Sequence, residues 1–149
     1  MRAVIQRVSQ AEVREDDRVL GRIGNGLAVL LGVGIDDGEA DVDYLLNKII
    51  SLRIFEDPAG KMNLSLQEVG GQLLIVPQFT LYADCRRGRR PSFDGAAPPE
   101  IAIDLCQKFF SKAKETGMYV ATGRFQATMD VHLVNSGPVT ILLDTKRVF

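Results

Sequence analysis

The sequence predicts an α+β fold, in which a largely antiparallel sheet or open barrel of seven or eight strands carries two packed helices. Most apolar segments are short, and they either alternate with polar residues or are apolar on both faces, as strands are. Only two segments have helical periodicity, and strands precede, separate and follow them without a regular βαβ alternation. The chain of 149 residues fits a single domain, residues 1–149.

The predicted strands differ in how their apolar residues are arranged. Residues 2–10 alternate, which places Ala3, Ile5 and Arg7 on one face of a strand. Residues 27–34 are apolar on both faces, which predicts a central strand. In chain order, we predict strands over residues 2–10, 11–15, 18–24, 27–34, 53–57, 72–79, 126–134 and 139–145.

Two helices and one long loop complete the prediction. Apolar residues recur at i, i+3, i+4 and i+7 over residues 39–52, which indicates an amphipathic helix. The second helix covers residues 98–116, and Pro98 and Pro99 open it. Residues 84–99 are polar and rich in glycine and proline, so we predict a loop before this helix.

Composition and charge restrict the class of protein. The formal net charge is −1, so the whole chain lacks the strongly basic character of many nucleic-acid-binding domains. No apolar run approaches about 18 residues, so we expect neither a membrane span nor a signal peptide. Cys85 and Cys106 match no paired metal-ligand spacing. We therefore expect a cytoplasmic protein with reduced thiols and with no metal or other cofactor.

His132 is the only histidine, which restricts the chemistry available to a hydrolase. A Ser-His-Asp triad or a multi-histidine zinc site would have to include it. The alternation of residues 126–134 places His132 on the opposite face of its strand from Met129 and Val131, which favours a solvated side chain. A hydrolase with this sequence would work by other means.

A proline ends the buried strand in "PQFTL", residues 77–81. Pro77 has no N–H and interrupts the ladder, which leaves the following backbone amides free to bind a ligand. Continued alternation would place Gln78 and Thr80 on one side and Phe79 on the other. These groups can form an oxyanion-binding corner, and the alternative is an edge strand whose polar residues face water.

Four arginines are concentrated in the predicted loop, in "RRGRRPSF". Clustered arginines next to Phe93 can bind phosphates, whereas a solvated loop is the ordinary explanation of such a cluster. The net charge of −1 makes this local concentration more informative. The four residues are Arg86, Arg87, Arg89 and Arg90.

The segment "NSGPVT", residues 135–140, separates two predicted strands with a Gly-Pro pair. Gly137 tolerates unusual backbone angles, whereas Pro138 fixes its own φ and offers no donor. A cis bond between them would point two successive carbonyl oxygens in nearly the same direction, as a rigid pair of acceptors for an ammonium group. An ordinary trans turn is the alternative, since few X-Pro bonds are cis.

Taken together, six segments resemble the D-aminoacyl-tRNA deacylase family. They occur in the order of the family and span nearly the whole chain, so that the set is specific although each segment alone is weak. The segments are "QRV" (6–8), "GLAVLLGV" (26–33), "RIFEDPAGKMNLS" (53–65), "PQFTL" (77–81), "GRRPSF" (88–93) and "GRFQATMDVHLVNSGPVT" (123–140).

The resemblance implies an enzyme that hydrolyses the ester between a D-amino acid and the terminal adenosine of tRNA, as a chirality proofreading step in translation. Glycine mischarged on tRNA(Ala) would also be removed. The family is a homodimer with active sites at the subunit interface. Its cis Gly-Pro peptide, here Gly137–Pro138, projects its carbonyls into the partner's pocket, where they hold the α-amino group and leave no room for the side chain of an L-amino acid.

The resemblance also implies roles for single residues. Arg7 would brace the Gly-Pro dipeptide, and Met129 would lie near the adenine pocket. Gln78, Phe79 and Thr80 would line the ester, with backbone N–H groups near Phe79 stabilising the oxyanion. We expect Thr80 to position the reacting groups rather than act as a nucleophile, because no base is identifiable near it.

Two positions depart from the family pattern. Pro77 replaces a serine, and Gln126 stands where a glycine is commoner. A related animal branch that removes L-alanine from tRNA also has the proline, and its Gly-Pro bond is trans. An L-alanyl-tRNA editing enzyme and a tRNA-binding module without catalysis, which would use the arginine loop, are therefore the alternatives to a D-specific enzyme.

Overall fold

The computed structural model describes residues 1–149 and contains eight strands, two α-helices and one short 3-10 helix. Both α-helices lie within two residues of their predicted bounds. In chain order the elements are β1 (Arg2–Glu15), β2 (Arg18–Ile23), β3 (Gly26–Gly32), α1 (Glu39–Ser51), β4 (Phe55–Glu56), β5 (Met62–Leu64), β6 (Gln72–Pro77), the 3-10 helix Phe79–Tyr82, α2 (Pro99–Glu115), β7 (Val120–Thr122) and β8 (Asp130–Asp144).

Six of the strands form one mixed sheet. β1 pairs antiparallel with β2, β3 and β8, whereas β3, β6 and β7 run parallel to one another. β3, β6 and β7 are parallel because the connections that contain α1 and α2 return the chain to the same end of the sheet before the next strand begins. The α+β prediction with a barrel-like sheet and two helices is confirmed, and the parallel pairs are the part that the predicted antiparallel pattern did not contain.

The sheet has a core on each side. Val29 is fully buried against α1 and α2, whereas its neighbour Ala28 points into a smaller core on the other side. β2 and β7 approach closely there, since a Cβ added to Gly21 would lie 3.1 Å from the Cβ of Ala121. The curled sheet is therefore nearly closed around the smaller core, and the helices cover its outside.

α1 and α2 cover the sheet with the apolar faces that their periodicity predicted. Phe109 of α2 is fully buried in the larger core. On the solvent side, Lys112 lies 2.5 Å from Asp43 and 3.1 Å from Glu39, as exposed ion pairs that contribute little to stability. Neither helix combines the length and the apolarity that crossing a bilayer requires.

β8 differs from the prediction. It runs without interruption from Asp130 to Asp144, so "NSGPVT" lies inside one strand rather than between two. Residues 126–129 precede the strand and do not belong to it. Their alternation is misleading because Gln126 has a φ of +56°, in the left-handed region, which ends an extended run.

The pairing of β1 with β8 is interrupted by a large bulge in β8. Between two paired positions, β1 contributes the single residue Arg7, whereas β8 contributes residues 136–139. Extra residues in one strand leave the ladder and project from it. We call residues 136–139 the Gly-Pro bulge, and it explains how a proline is accommodated within a long strand.

Candidate active site

A cavity of about 540 Å³ lies beyond the carboxyl ends of the parallel strands β3 and β6. Ligands commonly bind at this position of parallel sheets, and the volume is typical of a small-molecule site. Of its 18 lining residues, 13 are hydrophobic, which suits a flat aromatic ligand. They are Leu31, Val33, Val76, Pro77, Gln78, Phe79, Phe93, Ala96, Ala97, Pro99, Ala102, Cys106, Arg124, Phe125, Gln126, Ala127, Met129 and Val131.

One wall of the cavity forms where β6 ends at Pro77 and the chain turns into the 3-10 helix. The N–H of Gln78 donates to the carbonyl of Leu31 at 2.7 Å, which is the last ladder bond to β3. The tight turn that follows replaces the extended backbone. The predicted alternation, with Gln78 and Thr80 on one side of a strand and Phe79 on the other, is therefore wrong.

The turn gives the three predicted catalytic residues different positions. Gln78 and Phe79 line the cavity, whereas Thr80 is exposed and does not. The side-chain amide of Gln78 donates to the hydroxyl of Thr80, so Thr80 is connected to the cavity through Gln78. The ring of Phe79 contacts Phe93 edge-on, with centroids 5.1 Å apart, and these two rings form an aromatic part of the wall.

Only two lining residues, Cys106 and Arg124, have ionisable side chains. Burial raises the pKa of the Cys106 thiol to about 12, so it stays protonated at neutral pH and is a poor nucleophile. Arg124 forms an ion pair with Glu15. None of the side chains that line the cavity is a general base at neutral pH.

A second wall is the turn that leads into β8. The N–H of Gly123 donates to the carbonyl of Ile75 at 3.0 Å, and the N–H of Arg124 donates to the sulfur of Met129 at 3.2 Å. These bonds fix the turn against β6 and place Met129 in the cavity wall. Gln126 also lines the cavity, and its φ of +56° is a conformation that glycine adopts more easily.

The Gly-Pro bulge lies outside this cavity. The Gly137–Pro138 bond is cis, as the resemblance implies, and both residues are exposed. Neither residue lines the cavity of its own chain. The side-chain oxygen of Asn135 accepts a hydrogen bond from the N–H of Val139 at 3.0 Å, which ties the two ends of the bulge together.

Arg7 holds the bulge from β1. Its side chain is largely buried, and Nε donates to the carbonyl of Ser136 at 3.0 Å while Nη1 donates to the carbonyl of Ile54 at 2.7 Å. A Cβ added to Gly137 would lie 2.8 Å from Nη2 of Arg7, and the φ of Gly137 is +126°. The backbone angle favours glycine at this position, and a Cβ would also press on the Arg7 guanidinium that holds the bulge.

The arginine cluster lies beside the cavity without lining it. Asp84 and Ser92 close the loop with two backbone hydrogen bonds of 2.7 and 3.0 Å. Arg86 pairs with Asp84 through Nη2 at 2.6 Å, and its hydrogen bonds hold the pKa of that carboxyl far below the usual range. The side chains of the other three arginines are exposed to solvent, namely Arg87, Arg89 and Arg90.

His132 is exposed and outside the cavity, which agrees with the solvated side chain favoured by the sequence. In the pairing of β1 with β8, His132 lies opposite Glu12. Sequence reasoning missed Arg124 and Phe125 as cavity residues. No local signal marks them, since they follow a short strand and their position depends on how the turn packs on β6.

Comparisons with known proteins show which family the chain resembles. A family model described as "D-Tyr-tRNA(Tyr) deacylase" matches residues 4–144. A curated relative, the D-aminoacyl-tRNA deacylase of Clostridioides difficile (strain 630), is 58% identical over 149 residues, which cover 100% of both chains.

Solved structures with this fold are also known. One described as "c-Myc DNA Unwinding Element Binding Protein" is 37% identical, with a TM-score of 0.91 over 97% of this chain and 99% of its own. Another, described as "Structural Analysis of a probable eukaryotic D-amino acid tRNA deacylase", is 18% identical, with a TM-score of 0.83 over 95% of this chain and 97% of its own. The second shows the fold alone. From the full-length match and the family model, the chain belongs to the D-aminoacyl-tRNA deacylase family.

Proposed function

We propose that this protein hydrolyses the ester that joins a D-amino acid to the 3′-terminal adenosine of tRNA, and releases the free amino acid and the tRNA. The observation that carries the proposal is the 58% identity to a D-aminoacyl-tRNA deacylase along the whole chain. Glycine mischarged on tRNA(Ala) is a second substrate, because it has no side chain to exclude. Since aminoacyl-tRNA is used in translation, the protein acts in the cytoplasm.

The cavity binds the terminal adenosine. Its apolar lining includes Phe79, Phe93 and Met129. A nucleobase stacks on aromatic rings, and the polarisable sulfur of methionine packs well against an aromatic edge. This assignment leaves the ribose and its ester near Gln78, at the turn that ends β6.

The ester is hydrolysed by positioning and electrostatic stabilisation. An aminoacyl ester is already activated, and the neighbouring 2′-hydroxyl of the tRNA can orient the attacking water. The N–H of Gln78 is engaged with Leu31, so the N–H of Phe79 is the donor that we assign to the oxyanion. Thr80 holds the side chain of Gln78 and is a positioning residue in this scheme.

Chirality is read by the Gly-Pro bulge of a second copy of the chain. Because Gly137 and Pro138 are exposed and outside their own cavity, we propose a homodimer in which each bulge enters the partner's cavity. The main-chain carbonyl oxygens of the bulge accept hydrogen bonds from the α-ammonium group. An L-amino acid would direct its side chain into this main chain, and Arg7 keeps the bulge from moving away.

The arginine loop contacts the tRNA body. Arg87, Arg89 and Arg90 are exposed, and we assign them to phosphates. Arg86 is already paired with Asp84 and fixes the loop instead. Such contacts supply affinity rather than selection of the amino acid.

A single-turnover comparison of D-Tyr-tRNA and L-Tyr-tRNA tests the proposal. We expect release of D-tyrosine at a rate at least about a hundredfold above that of L-tyrosine, because main chain cannot relax to admit the L side chain. Faster release from L-Ala-tRNA than from D-Tyr-tRNA would instead assign the protein to the L-alanine-editing branch.

Nucleic-acid binding without catalysis is the second candidate. It is favoured by the exposed arginines and by the structural neighbour described as a DNA-unwinding-element binding protein. Substoichiometric protein separates the two, since an enzyme releases many equivalents of free D-tyrosine and a binding module releases none. Binding of D-Tyr-tRNA without any release would replace the catalytic proposal.

A further inference from the structure

We propose that Arg124 binds the 5′-phosphate of the terminal adenosine, and so acts as the phosphate-binding residue of the adenosine cavity. This inference rests on the proposed function, because it takes adenosine as the occupant of the cavity. Arg124 is the only cationic residue among the 18 that line the cavity. A nucleotide bound there carries its phosphate on the ribose, close to the base, so a cation at the rim is within one nucleotide's reach.

The backbone of Arg124 is held in place. The preceding residue, Gly123, is hydrogen-bonded to β6 through Ile75, and the N–H of Arg124 itself donates to the sulfur of Met129. A Cβ added to Gly123 would lie 2.9 Å from that sulfur, so the turn packs closely on the residue that we assign to the base. The main chain that carries Arg124 is therefore fixed against the base-binding wall.

The guanidinium is held as well. Nη2 of Arg124 pairs with Glu15, at the end of β1, and the Arg124 side chain is 58% exposed. A guanidinium has five N–H donors in a planar fork, so one carboxylate contact leaves other donors free for a phosphate. Glu15 orients the guanidinium of Arg124, so less side-chain conformational entropy is lost when a phosphate binds.

The remaining arginines cannot take this role from the same place. Arg86, Arg87, Arg89 and Arg90 lie on the neighbouring loop and do not line the cavity. Arg87, Arg89 and Arg90 are suited to phosphates further along the tRNA, whereas Arg124 is suited to the one nearest the base. Arg124 should therefore contact a substrate as short as one nucleotide, whereas the loop arginines should contact only the longer tRNA.

Two minimal substrates test the inference, the 3′-O-D-tyrosyl ester of adenosine and the same ester of adenosine 5′-monophosphate. For R124Q we expect kcat/KM on the phosphorylated ester to fall about two- to fivefold through KM, as for an exposed ionic contact. The unphosphorylated ester should be hydrolysed as by wild type. R124K, which keeps the charge without the fork, should lie between wild type and R124Q.

The matched control is R22Q. Arg22 is likewise exposed and pairs with a glutamate of β1, Glu12, but it lies outside the adenosine cavity. We expect R22Q to treat both esters as wild type does. An equal loss on both esters in R124Q, no loss on either, or the same selective loss in R22Q would overturn the inference.

Full-length substrate provides the second measurement. On D-Tyr-tRNA, the slope of log(kcat/KM) against log[salt] is negative, and R124Q should make it less steep by about 0.7, the value for one phosphate contact to a single strand. An unchanged slope would contradict the inference even if the short esters were poor substrates. If wild type does not hydrolyse D-Tyr-tRNA, the proposed function fails together with this inference, whereas active wild type with an indifferent R124Q removes the inference alone.

Discussion

The adenosine cavity and the Gly-Pro bulge are built in opposite ways. The cavity lies beyond the ends of two parallel strands of one chain and is lined mainly by apolar side chains. The bulge is exposed, lies outside that cavity and presents main chain held by Arg7. If the cavity binds the adenosine and the bulge selects the D-enantiomer, as we propose, the two steps depend on different parts of the molecule. A variant should damage one without the other.

The largest expected effect comes from Gly137→Ala. The added Cβ would lie 2.8 Å from Nη2 of Arg7 and 2.9 Å from a methyl carbon of Val139 at a φ of +126°, so Arg7, Val139 or the bulge backbone must shift. A displacement of about 1 Å in a positioning element lowers the rate by about a hundredfold, and we expect this loss in single-turnover hydrolysis of D-Tyr-tRNA. Binding of uncharged tRNA should be unchanged.

Gly60→Ala is the control for Gly137→Ala. Gly60 also has a positive φ, of +75°, but no atom lies within 4 Å of the position its Cβ would take. It therefore shares a positive φ with Gly137 and lacks the contact. Normal hydrolysis by Gly137→Ala would argue against the role of the bulge, and an equal loss in Gly60→Ala would attribute the effect to stability.

Arg7→Lys should have the next largest effect. The guanidinium donates to two carbonyls, of Ser136 and Ile54, and a single ammonium cannot reproduce this fork. We expect about a tenfold lower single-turnover rate, with a loss of about 1–3 kcal/mol in the free energy of unfolding from the unpaired carbonyl. Rapid-quench kinetics measures the single-turnover rate, and urea denaturation measures the free energy of unfolding.

Arg14→Lys is the comparison for Arg7→Lys. Arg14 lies on the same strand, and its side chain pairs with Glu12 away from the bulge. Both quantities should stay close to the wild-type values. If Arg7→Lys lost stability but kept the wild-type preference for D- over L-esters, Arg7 would be structural and would not brace the bulge.

Thr80→Ala should have a smaller effect, because Thr80 reaches the cavity only through Gln78. Loss of one hydrogen bond to the side chain of Gln78 should lower the single-turnover rate by about fivefold. Thr80→Ser keeps the hydroxyl and should be nearly normal. Complete loss of hydrolysis in Thr80→Ala with unchanged binding would make Thr80 the nucleophile.

The smallest expected effect on activity is that of Gln126→Gly. Gln126 has a φ of +56°, a conformation that is unfavourable for residues with a Cβ by about 1 kcal/mol. We expect a gain of about that size in the free energy of unfolding and an unchanged rate. Gln107→Gly, at an exposed position of α2, should instead lose about 1 kcal/mol. A marked rise in KM for Gln126→Gly would assign its side chain to the substrate.

The sequence predicted the elements well where periodicity decides. Both α-helices and the central strand β3 follow from the spacing of their apolar residues. It predicted the bulge residues Gly137 and Pro138 as a special segment, but not that β8 continues through them. The alternation of inward and outward side chains is interrupted at a bulge, because the extra residues are unpaired. The two strands nevertheless stay paired on either side of it, so the strand continues.

The site was predictable in part. Gln78, Phe79 and Met129, each singled out from a recognisable segment, line one cavity, and their roles toward the ester and the adenine stay predictions. The alternation assigned to Gln78 and Thr80 was wrong, because nothing local indicates that a 3-10 turn follows Pro77. Arg124 could not be found, since its place depends on packing between residues that are distant in the sequence.

Complementation between two inactive variants tests most directly the central claim that the bulge of one subunit serves the cavity of the other. Gly137→Ala disables the bulge, and Ala127→Trp fills the cavity that Ala127 lines. In mixed dimers one site combines an intact cavity with an intact bulge, so the account predicts recovery of about a quarter of wild-type D-Tyr-tRNA hydrolysis after the two proteins are refolded together. No recovery in mixtures shown to contain the mixed dimer would contradict it.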